Sequence, residues 1–196
     1  MENKNTREEW DKIWTEEGYH TWRIYPCTFT RICELIPENA NVLELGCGVG
    51  NLTYMMWERG HEVLPLDISP VAIECMRMIY NIEGTVATLP PIPEGVQKID
   101  VVVASQFLEH MEDPNIILKE MTRVANMAII AVPNFVLPPD ECEYHHQTFT
   151  VPTIKDLLFN YYNHVEVYTT TDIFMQNKQT RIVIPVIICK CWGVKK

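Results

Sequence analysis

Residues 42–53 read VLELGCGVGNLT. An apolar run ends in Glu44 and Leu45, and Gly46, Gly48 and Gly50 then take alternate positions. Glycine reaches φ > 0 freely and lets another molecule approach the backbone. The stretch reads as a buried strand entering a tight loop built around a ligand. The loop alone leaves that ligand open: a dinucleotide, a nucleotide phosphate or a group without phosphate fits a glycine turn between strand and helix.

Working outward, NVLELG (41–46), HEVLPLD (61–67), GTVAT (84–88), KIDVVVAS (98–105) and ANMAIIAV (125–132) read as strands. NLTYMMWERG (51–60), SPVAIECMRMIY (69–80) and DPNIILKEMTRV (113–124) read as helices between them. Ser69–Pro70 and Asp113–Pro114 are start signals, a capping side chain followed by proline in the first turn. PTIKDLLFNYY (152–162) is a further helix, and HVEVYTT (164–170) and RIVIPVIICK (181–190) are the last strands. Only TDIFMQNKQT separates those two, which predicts an antiparallel hairpin; Pro185 reads as a bulge or an edge position. Residues 133–150 hold three prolines and no periodicity, the mark of a long functional loop. Ahead of Pro37, residues 6–16 and 27–36 read as helices, with Trp10, Ile13 and Trp14 on one face.

Strands alternating with helices predict an α/β protein: a doubly wound, mostly parallel seven-stranded sheet ending in an antiparallel hairpin. Such sheets bind ligands at the carboxyl ends of their strands. One domain is expected over 1–196. It comprises an N-terminal helical lid (1–38), a cofactor-binding half (39–132), and a substrate loop with the C-terminal strands (133–196). Trp10, Trp14, Tyr19 and Trp22 either pack in the core or close over the ligand.

The formal net charge is −10 over 196 residues. No Lys/Arg cluster is present, which disfavours a nucleic-acid partner. Seven cysteines, at 27, 33, 47, 75, 142, 189 and 191, form no Cys-x-x-Cys pair. They read as buried free thiols, with Cys189 and Cys191 on one strand face. The polar start MENKNTREEW is no signal peptide, and IVIPVIIC falls short of the ~20 residues that span a bilayer. A cytoplasmic protein without membrane contact is expected; oligomeric state is not readable.

The spacing G-x-G-x-G departs from the dinucleotide fingerprint, and no Gly-Lys-Ser/Thr follows. Glu44, two residues before Gly46, is a poor neighbour for a pyrophosphate and a good one for an ammonium group. Asp67 ends the next strand, where a carboxylate can accept from both hydroxyls of a ribose. A ligand with a ribose, an amino group and no phosphate fits: S-adenosylmethionine.

VLELGCGVG followed by LPLDIS resembles the class I S-adenosylmethionine-dependent methyltransferases, which are Rossmann-like. IDVVVASQFLEHMEDP (99–114) is similar to the fourth-strand segment of that family, and HHQTFT (145–150) to the segment that opens its late helix. The resemblance covers about residues 40–190. It implies that Glu44 holds the methionine amino group and that the backbone of Gly46, Cys47, Gly48 and Gly50 passes beneath the cofactor. It implies that Asp67 binds the ribose, that Ile68, Ala87, Thr88 and Leu89 border the adenine, and that Ser105 and Gln106 close the methionine end. Two departures stand out. TVATLP lacks the Asp that many relatives offer the adenine amino group, so Thr88 or backbone carbonyls substitute. VANMA replaces a frequent Gly-Gly turn before the fifth strand. The motif LEH is shared with quinone-biosynthesis O-methyltransferases, some of which place a metal-binding Glu where this chain has Gln106, so no metal is expected.

The resemblance implies methyl transfer to an O or N nucleophile of a small-molecule acceptor. His110, His145 and His146 are the candidate bases. A protein or RNA substrate, or a non-catalytic cofactor-binding module, is the alternative.

Overall fold

The structure is a computed structural model that describes residues 4–16, 25–134, 144–175 and 181–195. Two helices lead, α1 (Arg7–Glu16) and α2 (Pro26–Leu35). Then come β1 (Asn41–Leu45), α3 (Asn51–Trp57), β2 (Glu62–Asp67), α4 (Pro70–Tyr80), β3 (Thr85–Val86) and β4 (Val101–Ser105). A short 3-10 turn (Leu108–His110) precedes α5 (Pro114–Val124), β5 (Met127–Pro133), α6 (Val151–Leu158), β6 (Tyr162–Met175) and β7 (Arg181–Val194). The strands form one seven-stranded sheet in the order β3-β2-β1-β4-β5-β7-β6. β1 to β5 run parallel, and β7 pairs antiparallel with both β5 and β6. The expected fold is borne out.

Successive strand residues point to opposite faces, and the core divides accordingly. Val102, Ala104, Ala128, Ile130, Ile187, Cys189 and Cys191 face α5 and α6, meeting Ile117, Leu118, Ile154 and Leu158. Val101, Val103, Ile129, Ala131, Val186 and Ile188 face α2 and α3, meeting Phe29, Ile32 and Met56. The start signals act as read. Ser69 accepts from the Ala72 amide at 3.1 Å, and Asp113 from Asn115 at 3.0 Å.

Several boundaries differ from the expectation. The fourth strand begins at Val101 because Lys98 adopts φ +59°, which interrupts extended backbone. The helix expected to reach Tyr162 stops at Leu158, and Tyr162 is instead the fully buried first residue of a strand far longer than 164–170. Pro185 is neither at a bulge nor on an edge strand. It pairs with Thr171 at the point where β7 runs past β5, and its carbonyl accepts from the Asn134 amide at 2.9 Å. In an antiparallel strand the N–H and C=O of one residue face the same neighbour, so the missing N–H falls beyond the β5 ladder. Cys27 is exposed and Cys75 half-buried, whereas Cys33, Cys47, Cys189 and Cys191 are buried; all six are free thiols. Tyr19, Trp22 and residues 135–143, half of the 133–150 loop and including Cys142, lie outside the described residues.

Candidate functional site

The glycine loop leaves β1 and is pinned to the end of β2. The amides of Gly46 and Cys47 both donate to the Leu66 carbonyl, at 2.8 and 3.0 Å. The Gly48 amide donates to one Asp67 oxygen at 2.8 Å, and the Ser69 amide to the other at 2.9 Å. Gly46 and Gly48 have φ of +70° and +53°; a Cβ would lie 2.6 Å from the Phe107 ring at the first and 2.9 Å from the Trp14 ring at the second. Both positions require glycine by conformation and by space.

These strand ends border a cavity of about 400 Å³. Of the residues singled out in the sequence, Glu44, Gly46, Cys47, Gly48, Asp67, Ile68, Ala87, Leu89, Ser105, Gln106, His110 and His145 line it. Gly50, Thr88 and His146 do not. A Cβ on Gly50 would meet the Met76 side chain at 2.4 Å, so this glycine turns the chain into α3 and packs on α4. Thr88 is exposed, facing away between the two lining residues Ala87 and Leu89. His146 sits behind the wall, its amide donating to the Glu109 carbonyl at 2.8 Å.

Helix α1 covers this cavity. Trp14 is buried against Val49 and Ala72. Asp11 accepts a short hydrogen bond from the Ser69 hydroxyl. The Asn5 side-chain amide donates to the carbonyls of His110 and Tyr144, at 3.1 and 3.0 Å. Trp10 meets the His110 ring edge-on at 5.2 Å. Asn5, Phe107, Glu109 and Tyr144 also line the cavity; periodicity marks none of them, and only the LEH motif drew notice to Glu109.

The electrostatics are unusual for so small a space. Burial pushes the Glu44 carboxyl up to about 8, with the Thr53 hydroxyl opposing this and the Asp67 charge adding to it; Thr53 donates to Glu44 at 2.5 Å. Burial also raises Asp67, against the pull of the Ser69, Gly48 and Ile68 amides. Glu109 is pushed to about 8 by burial, and its Oε2 has no hydrogen-bond partner among the described residues. Burial drives His110 down to about 4, so its ring is neutral at pH 7. His110 Nδ1 lies 2.8 Å from the Tyr144 carbonyl. A carbonyl only accepts, so Nδ1 carries the proton and Nε2 is left with its lone pair.

At the end of β4, Gln106 adopts φ +53°, a conformation that costs energy in a non-glycine residue and clusters at functional sites. The buried Ser105 hydroxyl and Gln106 amide nitrogen have no partner among the described residues. Beside them, one donor atom each from Glu109, His110 and His145 lie within 4.8 Å of one another. The sequence offered Glu109 and His110 alone; the 144–150 segment brings His145 to them. The His110 and His145 rings are 5.0 Å apart.

Residues 43–127 match the family described as a methyltransferase domain. That match takes in 85 of the 196 residues, from β1 to the start of β5, and with the strand order above it makes this part of the chain similar to S-adenosylmethionine-dependent methyltransferases. Among curated proteins it is similar to a ubiquinone biosynthesis O-methyltransferase of Hahella chejuensis, 31% identical over 91 residues, 43% of this chain and 38% of that protein. The chain thus matches little more than a third of that relative's length. Among solved structures it is similar to a SAM-dependent methyltransferase of Methanosarcina mazei, with a TM-score of 0.64 and 19% identity over 87% of this chain and 99% of that one. The N-terminal domain of EvdMO1, solved in the presence of SAH and D-fucose, gives a TM-score of 0.64 and 15% identity over 85% of this chain and 82% of that one. At such identities the structural likeness is one of fold.

Proposed function

We propose that this chain transfers the methyl group of S-adenosylmethionine to an O or N nucleophile of a small metabolite. One observation carries the reading: a single cavity joins the glycine loop, Glu44 and Asp67 to the Glu109, His110 and His145 cluster. In this reading Glu44 takes the ammonium group, Asp67 the ribose hydroxyls, and Ile68, Ala87 and Leu89 the adenine. Ser105 and Gln106 face the methionine end. Residues 1–38 act as a lid, with Trp10 and Trp14 excluding water. A sulfonium makes its methyl group electrophilic, and most of the rate gain comes from holding the nucleophile in line, where effective molarities reach about 10⁵–10⁸ M. His110 Nε2 accepts the acceptor's proton. No helix among the described residues is long and apolar enough to cross a membrane. Free thiols at all six described cysteines support a cytoplasmic location, and the charge of −10 argues against nucleic acid.

The test is calorimetric titration with S-adenosylmethionine and its demethylated product, followed by incubation of protein and cofactor with a metabolite extract. A metabolite that gains one CH2 supports the reading. NAD binding without any response to the two sulfur ligands would overturn it.

A further inference from the structure

Three carboxyl groups, Glu44, Asp67 and Glu109, open on the cavity, each 7% exposed or less. Among the described residues no Lys or Arg lines it. Glu44 has the Thr53 hydroxyl and Asp67 has two backbone amides. Glu109 differs: its side chain has an orphaned, buried oxygen and stands beside two imidazoles. A buried acceptor with no donor is costly unless a ligand supplies one. Next to it stand Trp10 and Tyr144, ring centroids 5.9 Å apart, whose π faces favour a cation.

We propose that the acceptor is a small amine that enters as an ammonium ion and is held by Glu109 against the Trp10 and Tyr144 rings. This rests on the methyl-transfer reading and names the substrate class of that site. A carboxylate or phosphate acceptor would meet three carboxyls and no fixed cation. A neutral hydroxyl would satisfy the Glu109 oxygen but bring no cation to the Trp10 and Tyr144 rings. The ammonium N–H donates to Glu109, which gives its own proton to water as it docks and, as a carboxylate beside His110, raises that imidazole's basicity. One ammonium proton then passes to His110 Nε2, freeing the nitrogen lone pair. That pair attacks the methyl carbon, and the carbon–sulfur bond breaks. Its electrons remain on sulfur, giving a neutral thioether and a methylated ammonium product. His110 returns its proton to water.

The experiment loads the full chain with S-adenosylhomocysteine and titrates it with four probes: phenethylamine, phenethyl alcohol, phenylpropanoate and catechol. The amine is expected to bind at least about tenfold tighter than the alcohol or catechol, a difference of about 1.4 kcal/mol, and the acid to bind weakest. Glu109→Gln should erase the preference for the amine and leave S-adenosylhomocysteine affinity unchanged. If that variant does not fold, the wild-type ranking decides alone. Catechol or acid binding as tightly as the amine, no amine binding by the loaded protein, or a preference that survives Glu109→Gln would overturn the inference alone. Failure of S-adenosylhomocysteine itself to bind would overturn the reading on which it rests.

Discussion

Asp172 caps a helix that begins 146 residues before it. Its carboxylate accepts from the amides of Cys27 and Thr28, at 2.8 and 3.2 Å, and from the Thr28 hydroxyl at 2.5 Å. Helix α2 has no side-chain cap of its own, so strand β6 supplies it. Replacing such a cap costs typically ~1 kcal/mol, and each buried donor left unpaired adds about 1–3 kcal/mol. Asp172→Ala is therefore expected to lower the melting temperature by several degrees, at about 2–4 °C per kcal/mol for a domain of this size, and Asp172→Asn by less. Thermal denaturation followed by circular dichroism measures this. Equal melting temperatures would show that the capping contributes nothing.

Glu44 must ionise to hold an ammonium group, yet burial raises it to about 8 in the free protein. Cofactor affinity is expected to rise as pH increases from 6 towards 8, by up to about tenfold per unit, and binding at pH 7 should release a proton. Calorimetry in two buffers of different ionisation enthalpy detects that proton. The same shift bears on stability. A carboxyl raised on folding binds more protons folded than unfolded, so its contribution is full below about 4.5 and is lost as pH climbs to about 8. His110, lowered to about 4, acts oppositely, its contribution being lost as pH falls from 6.5 to 4. Two raised carboxyls outweigh one lowered imidazole, so the ligand-free protein should lose stability as pH rises from about 4.5 to about 8, and Glu44→Gln should flatten that loss.

Asp67→Ala is expected to cost on the order of 100-fold in cofactor affinity, because hydrogen bonds to a charged acceptor contribute roughly 1.5–3 kcal/mol each. It should also lower stability, since the Gly48 and Ser69 amides lose their acceptor. Asp67→Asn separates the two effects. It keeps the side chain's shape and one acceptor oxygen, so it should melt closer to the native protein while still binding cofactor weakly. Affinity within about threefold of native in both variants would remove Asp67 as the ribose ligand.

Trp14 lies against Gly48, with its ring near where a Cβ would stand. Cofactor entering over the glycine loop must change that ring's surroundings, so tryptophan emission should shift on titration with S-adenosylhomocysteine. Trp57, 55% exposed and on α3, should not respond. Loss of the signal in Trp14→Phe and its survival in Trp57→Phe is the expected pair of results; the reverse would place the ligand elsewhere.

His110→Gln should reduce kcat by about 10²–10⁴ while cofactor affinity holds. Because burial moves this imidazole to about 4, the acid limb of the kcat profile should lie well below the usual histidine value of about 6.5. Turnover is expected to be the same with and without EDTA. Loss in EDTA with recovery on adding a divalent metal would assign Glu109, His110 and His145 to a cation instead.

The parallel half of the fold was legible because each of its signals is local. VLELGCGVG, Ser69–Pro70 and Asp113–Pro114 each concern neighbouring residues, and each formed the expected element. The cavity was legible where a motif closes a strand, as at Glu44 and Asp67, and where a family-like segment follows one, as at His110. Asn5 and Tyr144 reach the cavity through contacts with residues far away in sequence, which no period announces. The ends of β6 were misread for a related reason. Tyr162 resembles a helix residue in NYY, but the buried pairing of its strand with β7 overrides that local preference.

The union of α2 with β6 and β7 has a consequence for the order in which the chain assembles. Phe29 and Ile32 pack on Ile184, Val186 and Ile188, and their helix waits for Asp172 to cap it. Contacts so distant along the chain carry the largest loop-closure cost and form late. Strands β1, β2 and β4, with the loop that pinches Leu66, need only short closures. Docking of α2, and with it the wall of the cavity that Tyr25 and Phe29 line, is therefore expected to come last.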